Sequence, residues 1–170
     1  MIMRMFAAVL VISGCSGIGF SMCRNYLKEE RALESLNRCL DWMILELNYR
    51  MSPLGQLFMD ASNLGDGDVQ LVLKRFAEEL QRNVTPEVSI CMDAALASVG
   101  QVPARLKTYF KEMGASVGTL DLNGQITALH TISERCKQEV KVMKSQGENC
   151  LRNYRTLGIC AGITLVIILF

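Results

Sequence analysis

The sequence predicts an all-α protein: a cytoplasmic bundle of about six helices between residues 24 and 155, with an N-terminal and a C-terminal membrane segment. Three observations predict it. Half of the 170 residues are hydrophobic, yet only 6% are aromatic and only 3 are proline, so the apolar content is mostly aliphatic and rich in the helix formers Leu, Met and Ala. All 17 acidic residues, and all the basic ones except Arg4, fall between Arg24 and Arg155, which leaves both ends nearly bare of charge. Between them, apolar residues recur at spacings of three and four, and no strand-like alternation occurs.

Residues 5–23 are uncharged throughout and as a helix measure roughly 28 Å, close to the thickness of a bilayer core. Gly14, Gly17 and Gly19 are costly in a water-exposed helix but permit close packing in a membrane. The uncharged run 156–170 is shorter, about 22 Å as a helix, so it spans a thinned bilayer or stops within it. The domain reading is thus 1–23, 24–155 and 156–170. Arg4 stands alone before the first segment, whereas Arg24, Lys28 and Arg31 follow it; Lys141, Lys144, Arg152 and Arg155 precede the second. Basic flanks stay on the cytoplasmic side, so the bundle is expected there. An alternative reads Ile12-Ser13-Gly14-Cys15 as a lipobox and the chain as a lipid-anchored extracellular helical binding protein lipidated at Cys15. Against it stand the single charge before the apolar run, the eight uncharged residues after Cys15, and a basic flank on the wrong side for export.

Within the bundle, the first long helix carries the seam Leu33, Leu36, Leu40, Met43, Leu47 and Met51, widened by Trp42 and Ile44. Ser52-Pro53 signals a new helix, with Ser as cap and Pro in the first turn, running to about Ala61. After the loop 62–67, Asp66 or Asp68 is expected to cap a helix whose buried face is Val69, Val72, Leu73, Phe76 and Leu80. Asp66-x-Asp68 lacks the later carboxylates of a calcium loop, and capping explains it better. Thr85-Pro86 opens a helix through Ala97, and Val102-Pro103 opens another that ends at Gly114. There, and at Gly118, glycine is expected to serve the turn through positive φ. Asp121 caps the last helix with Gln125 in its early turns. That helix has the seam Leu129, Ile132, Cys136, Val140, Met143, Gly147, Cys150 and Tyr154, and runs on into the C-terminal apolar segment.

The residues offer no catalytic, cofactor-binding or metal site. Seven cysteines include no C-x-x-C pair; Cys15 and Cys160 lie in the apolar ends, and the rest read as small buried hydrophobes in a reducing compartment. The single histidine, His130, has no second group in its pattern to make it a base. No nucleotide, hydrolase or metalloprotease motif occurs. Glu29-Glu30 and Glu78-Glu79 are adjacent and face different sides of a helix. A net charge of +1 gives no reason to expect nucleic acid, and no small-molecule substrate is indicated.

Four groups of residues then carry a likeness. Gly19-Phe20-x-Met22 leaves the first apolar segment; Glu46-Leu47-Asn48-Tyr49 is followed by Pro53-Leu54; Gly114, Val117-Gly118, Asp121 and Gln125 form a glycine turn; Tyr154-Arg155-x-Leu157-Gly158 precedes the aliphatic end. In this order and spacing the chain resembles the stage III sporulation protein AB family of endospore-forming bacteria. Val117 stands where that family usually has Leu, and residues 63–101 match only in helical pattern. The resemblance implies a domain similar to the cytoplasmic helical domains of the type II secretion F component. It further implies a non-enzymatic scaffold role in a channel-like complex joining mother cell and forespore, at the mother-cell membrane surrounding the forespore. The implied partners are a sporulation ATPase (stage III sporulation protein AA-like), other stage III sporulation proteins and the lipid bilayer. Exposed charges between residues 63 and 110 are the expected docking determinants.

Overall fold

The computed structural model describes the backbone of residues 2–50, 52–82, 87–118 and 120–169, and within these the side chains of residues 24–147. Among the described residues there are six helices: α1 (Ile2–Tyr49), α2 (Leu54–Ser62), α3 (Asp68–Gln81), α4 (Val88–Ser98), α5 (Ala104–Val117) and α6 (Leu122–Leu169). No strand occurs among the described residues. The chain forms two compact units, one of Met1–Lys28 with Lys141–Phe170, the other of Glu29–Val140. Among the described residues no helix is long and apolar enough to cross a membrane. The expected membrane segments, 5–23 and 156–170, lie outside the residues whose side chains are described.

In the Glu29–Val140 unit the predicted seams are the core. Leu33, Leu36, Leu40, Met43 and Leu47 of α1 are all buried, as are Leu129, Ile132, Cys136 and Val140 of α6. Side chains at these spacings share one helix face, so a single stripe goes dry while the opposite face stays wet. Chain neighbours pack on one another: α2 on α3, α3 on α4 and α4 on α5. The Cys39 thiol of α1 donates to the Ala61 carbonyl of α2 at 3.4 Å, and the Cys136 thiol of α6 donates to the Leu33 carbonyl of α1 at 3.4 Å. At the centre of the α2–α3 pair, Phe58 and Phe76 meet edge-on, ring centroids 4.7 Å apart. Both rings are fully buried, and each such side chain contributes roughly 1.5–3 kcal/mol by leaving water. Trp42, Ile44 and Leu80 are only half-buried, so they edge the core rather than widen it. Met51 and the Thr85-Pro86 signal lie outside the described residues, as do the side chains of Cys15, Cys23, Cys150, Tyr154 and Cys160.

The helix boundaries correct four expectations. Pro53, not Ser52, occupies the N-cap of α2, without a side-chain cap; the Ser52 hydroxyl donates to Glu46 Oε1 at 3.0 Å instead. Neither Asp66 nor Asp68 caps α3, because Gly67 takes that position with φ 54°. Asp68 becomes the first helical residue, where its charge favours the positive end of the helix dipole. Asp66 instead fastens its loop to α1, its N–H donating to Ser35 Oγ at 2.7 Å and its carboxylate accepting from Arg38.

The third and fourth corrections concern glycine. Gly114 does not end α5; it is buried inside the helix, which continues to Val117. Gly118 closes α5 at φ −88°, an ordinary right-handed angle. Their role is proximity: a Cβ on Gly114 would lie 2.7 Å from Met92 Cβ, and one on Gly118 would lie 2.4 Å from Val88 Cβ. Left-handed glycine appears instead at Gly100, φ 79°, just past the end of α4, where a helix stop uses it most cheaply. Asp121 behaves as expected. Its Oδ1 accepts from the Gly124 N–H at 3.0 Å as the cap of α6.

Candidate interaction surface

Polar side chains that would interest a chemist are here engaged with one another. Between α1 and α6, the buried Ser133 hydroxyl donates to Asp41 Oδ1 at 2.7 Å, with Asn37 Oδ1 at 3.1 Å as its other acceptor. Lys137 Nζ stands 3.1 Å from both Asp41 and Glu134. Hydrogen bonds to Asp41 first, and then to Glu134, raise the Lys137 pKa, so this amine is no candidate base. Glu34, Asn37, Arg38, Lys137 and Val140 line a shallow, open groove of about 300 Å³ beside this clasp. Its walls carry both charge signs, and Arg38, like Lys137, is already ion-paired.

Between α5 and α6 a second network closes on Glu139. Arg105 donates to Glu139 Oε1 at 2.5 Å and also faces Glu29 at 3.7 Å, while the Tyr109 hydroxyl donates to Glu139 Oε2. Arg135 lies 6.0 Å from the Tyr109 ring centroid and pairs with Glu112 at 2.8 Å. Desolvation pushes the Glu139 carboxyl upward, but the hydrogen bonds from Tyr109 and Arg105 and the charges of Arg105 and Arg135 outweigh it, so its pKa falls. Burial, then the bond to Glu139, raises the Tyr109 pKa. A carboxylate held by two partners, Arg105 and Tyr109, is an anchor between helices.

His130 is exposed on α6, and its side chain makes no hydrogen bond or ion pair among the described residues. Among the described residues no group of three His, Cys, Asp or Glu side chains could hold a metal ion. Cys39, Cys91 and Cys136 are buried and in no disulfide among the described residues. Burial pushes the Cys39 thiol up to about 11 and the Cys136 thiol up to about 12, so both stay protonated and unreactive near neutral pH.

What the Glu29–Val140 unit does offer is apolar surface. On α1, Leu45 is 57% exposed and Tyr49 84% exposed. With half-buried Trp42 they recur at spacings of three and four on the side away from the seam. Large exposed apolar side chains grouped on one helix face mark an interaction site more often than isolated ones do. Tyr49 also closes the Glu46-Leu47-Asn48-Tyr49 motif, and its offset from the buried positions is the sequence signal for this stripe. Exposed charges between residues 63 and 110 include Lys74, Arg75, Arg82, Glu87 and Asp93. Arg75, Arg82 and Asp93 sit in surface ion pairs, which contribute about 0–1 kcal/mol each and leave their charges available to a partner.

The chain matches the family described as stage III sporulation protein AB over residues 4–170. No curated protein and no solved structure matches it.

Proposed function

The chain belongs to the stage III sporulation protein AB family, which gives it a role in sporulation, and from that membership we propose that it is a non-enzymatic membrane scaffold subunit of the complex joining mother cell and forespore. The observation that carries this reading is the extent of the match, which takes in both apolar ends and the helical bundle together. In the proposed arrangement, residues 5–23 and 156–170 enter the mother-cell membrane surrounding the forespore, and the bundle faces the cytoplasm. There it presents a helical surface to a secretion-type sporulation ATPase and to other stage III sporulation proteins. The engagement of the bundle's polar side chains with one another supports a scaffold rather than a catalyst. The stripe of Trp42, Leu45 and Tyr49 is the docking element, with the exposed charges of α3 to α5 beside it. Nothing favours the alternative of an extracellular protein lipidated at Cys15.

Topology is tested by labelling intact cells with a membrane-impermeant thiol reagent. The buried native Cys39, Cys91 and Cys136 react poorly on either side of a membrane, so the reporter is Ala94→Cys, at an exposed position of α4. Labelling only after lysis is expected. Labelling in intact cells overturns the cytoplasmic placement and favours the lipid-anchored reading.

A further inference from the structure

The near-neutral net charge of +1 conceals a sharp division. The Met1–Lys28 and Lys141–Phe170 unit has seven basic residues against one acidic residue, Glu148, for a net charge of +6. The Glu29–Val140 unit has eleven basic residues against sixteen acidic, for a net charge of −5. In the first unit, Arg24, Lys28, Lys141 and Lys144 are exposed. Arg24 and Lys28 are four apart on α1, and Lys141 and Lys144 three apart on α6, so each pair shares a helix face. The Tyr26 hydroxyl donates to Gln146 Oε1 at 3.1 Å, joining the two helices amid these cations. Cations grouped in this way favour an anionic surface.

We infer that Arg24, Lys28, Lys141 and Lys144 form a basic collar that binds the anionic phospholipid headgroups of a bilayer. This rests on the membrane reading proposed above and specifies the lipid. The partner is a lipid surface rather than a nucleic acid or an acidic protein because Arg24 directly follows the uncharged run 5–23 on α1, and Lys141 and Lys144 precede the uncharged run 156–170 on α6. The Glu29–Val140 unit, with its net negative charge, has no such preference.

The test is flotation of the full chain, released from detergent, with vesicles of phosphatidylcholine alone and with vesicles containing about one-third phosphatidylglycerol. Each basic residue at an anionic surface contributes roughly fivefold to partitioning, so a preference of up to about six hundredfold for the anionic vesicles is expected from the four together, shrinking as salt is raised. The variant R24Q/K28Q/K141Q/K144Q should lose the preference, and the charge-keeping variant R24K/K28R/K141R/K144R should retain it. Equal flotation of the wild type with both vesicle types overturns the collar while leaving the membrane reading standing. Flotation with neither overturns both. If the glutamine variant loses its helical circular dichroism, the composition and salt dependence of the wild type decides. Equal loss of preference in the charge-keeping variant also overturns the proposal.

Discussion

Gly114 on α5 lies against Met92 on α4 so closely that a Cβ at position 114 would fall 2.7 Å from the Met92 Cβ. Met92 is buried, and its Cβ is fixed to the backbone, so α4 and α5 themselves would have to part. Gly114→Ala would gain up to about 1 kcal/mol in helix propensity, but overpacking costs about 1–3 kcal/mol. The expected net effect is destabilisation, read as a lower Tm in detergent, with helix content kept at low temperature. An unchanged or higher Tm would show that the two helices separate without cost.

Alkaline pH should unfold the bundle. Burial raises Cys39 from 9.0 to about 11 and Cys136 from 9.0 to about 12, and Tyr109 lies above its ordinary 10.0. The folded chain therefore keeps protons that the unfolded chain releases once pH passes about 9. Stability is fully present below pH 9 and is lost as pH climbs toward the folded values. Denaturation midpoints measured from pH 8 to pH 11 should fall steadily, and less steeply in Cys136→Val. A flat profile would mean that these thiols are hydrated.

Glu139 ties α6 to α5 through Arg105 and Tyr109. Glu139→Ala strands a buried tyrosine hydroxyl, which costs about 1–3 kcal/mol. Tyr109→Phe in the same background should restore part of that loss, since the unpaired hydroxyl goes with it. The pKa of Glu139 is lowered on folding, so its contribution is present above the ordinary carboxyl value and is lost as pH falls through the folded one. Acid titration of wild type against Glu139→Gln should reveal the difference. Identical acid profiles would remove Glu139 from the network's stabilising groups.

Tyr49→Ala with Leu45→Ser should leave folding within about 0.5 kcal/mol of wild type, as surface changes do, while reducing recovery of the proposed partner, a secretion-type sporulation ATPase, with the purified chain. Charge reversals at Lys74, Arg75 and Glu87 form the comparison set. If those reversals abolish recovery and the α1 variant does not, the docking face lies on α3 and α4 instead.

Much of the helical bundle was readable in one dimension. The burial of Leu33, Leu36, Leu40, Met43 and Leu47, and of the matching α6 positions, follows from spacing alone, because residues three and four apart share a face whatever that face meets. The Asp121 cap was readable for the same reason, since its bond to the Gly124 N–H spans three residues. Gln125 sits in the early turns of α6 as its position implies, but its bonds to the Val117 and Leu120 carbonyls depend on how the α5–α6 turn closes. Neither Ser52 nor Asp66 caps a helix, because each side chain has a better partner elsewhere: Glu46 for one, Arg38 for the other. No local pattern reveals a competitor 28 residues away.

The same division holds for the candidate surface. Helical periodicity and the placement of charge follow from the order of residues, since both arise from contacts within about one turn or from simple composition. The closeness of Gly114 to Met92, the raised thiols of Cys39 and Cys136, and the exposure of Tyr49 required the assembled bundle. Steric contact, desolvation and solvent exposure are set by neighbours distant in the chain, so only the packing of α1 to α6 could decide them.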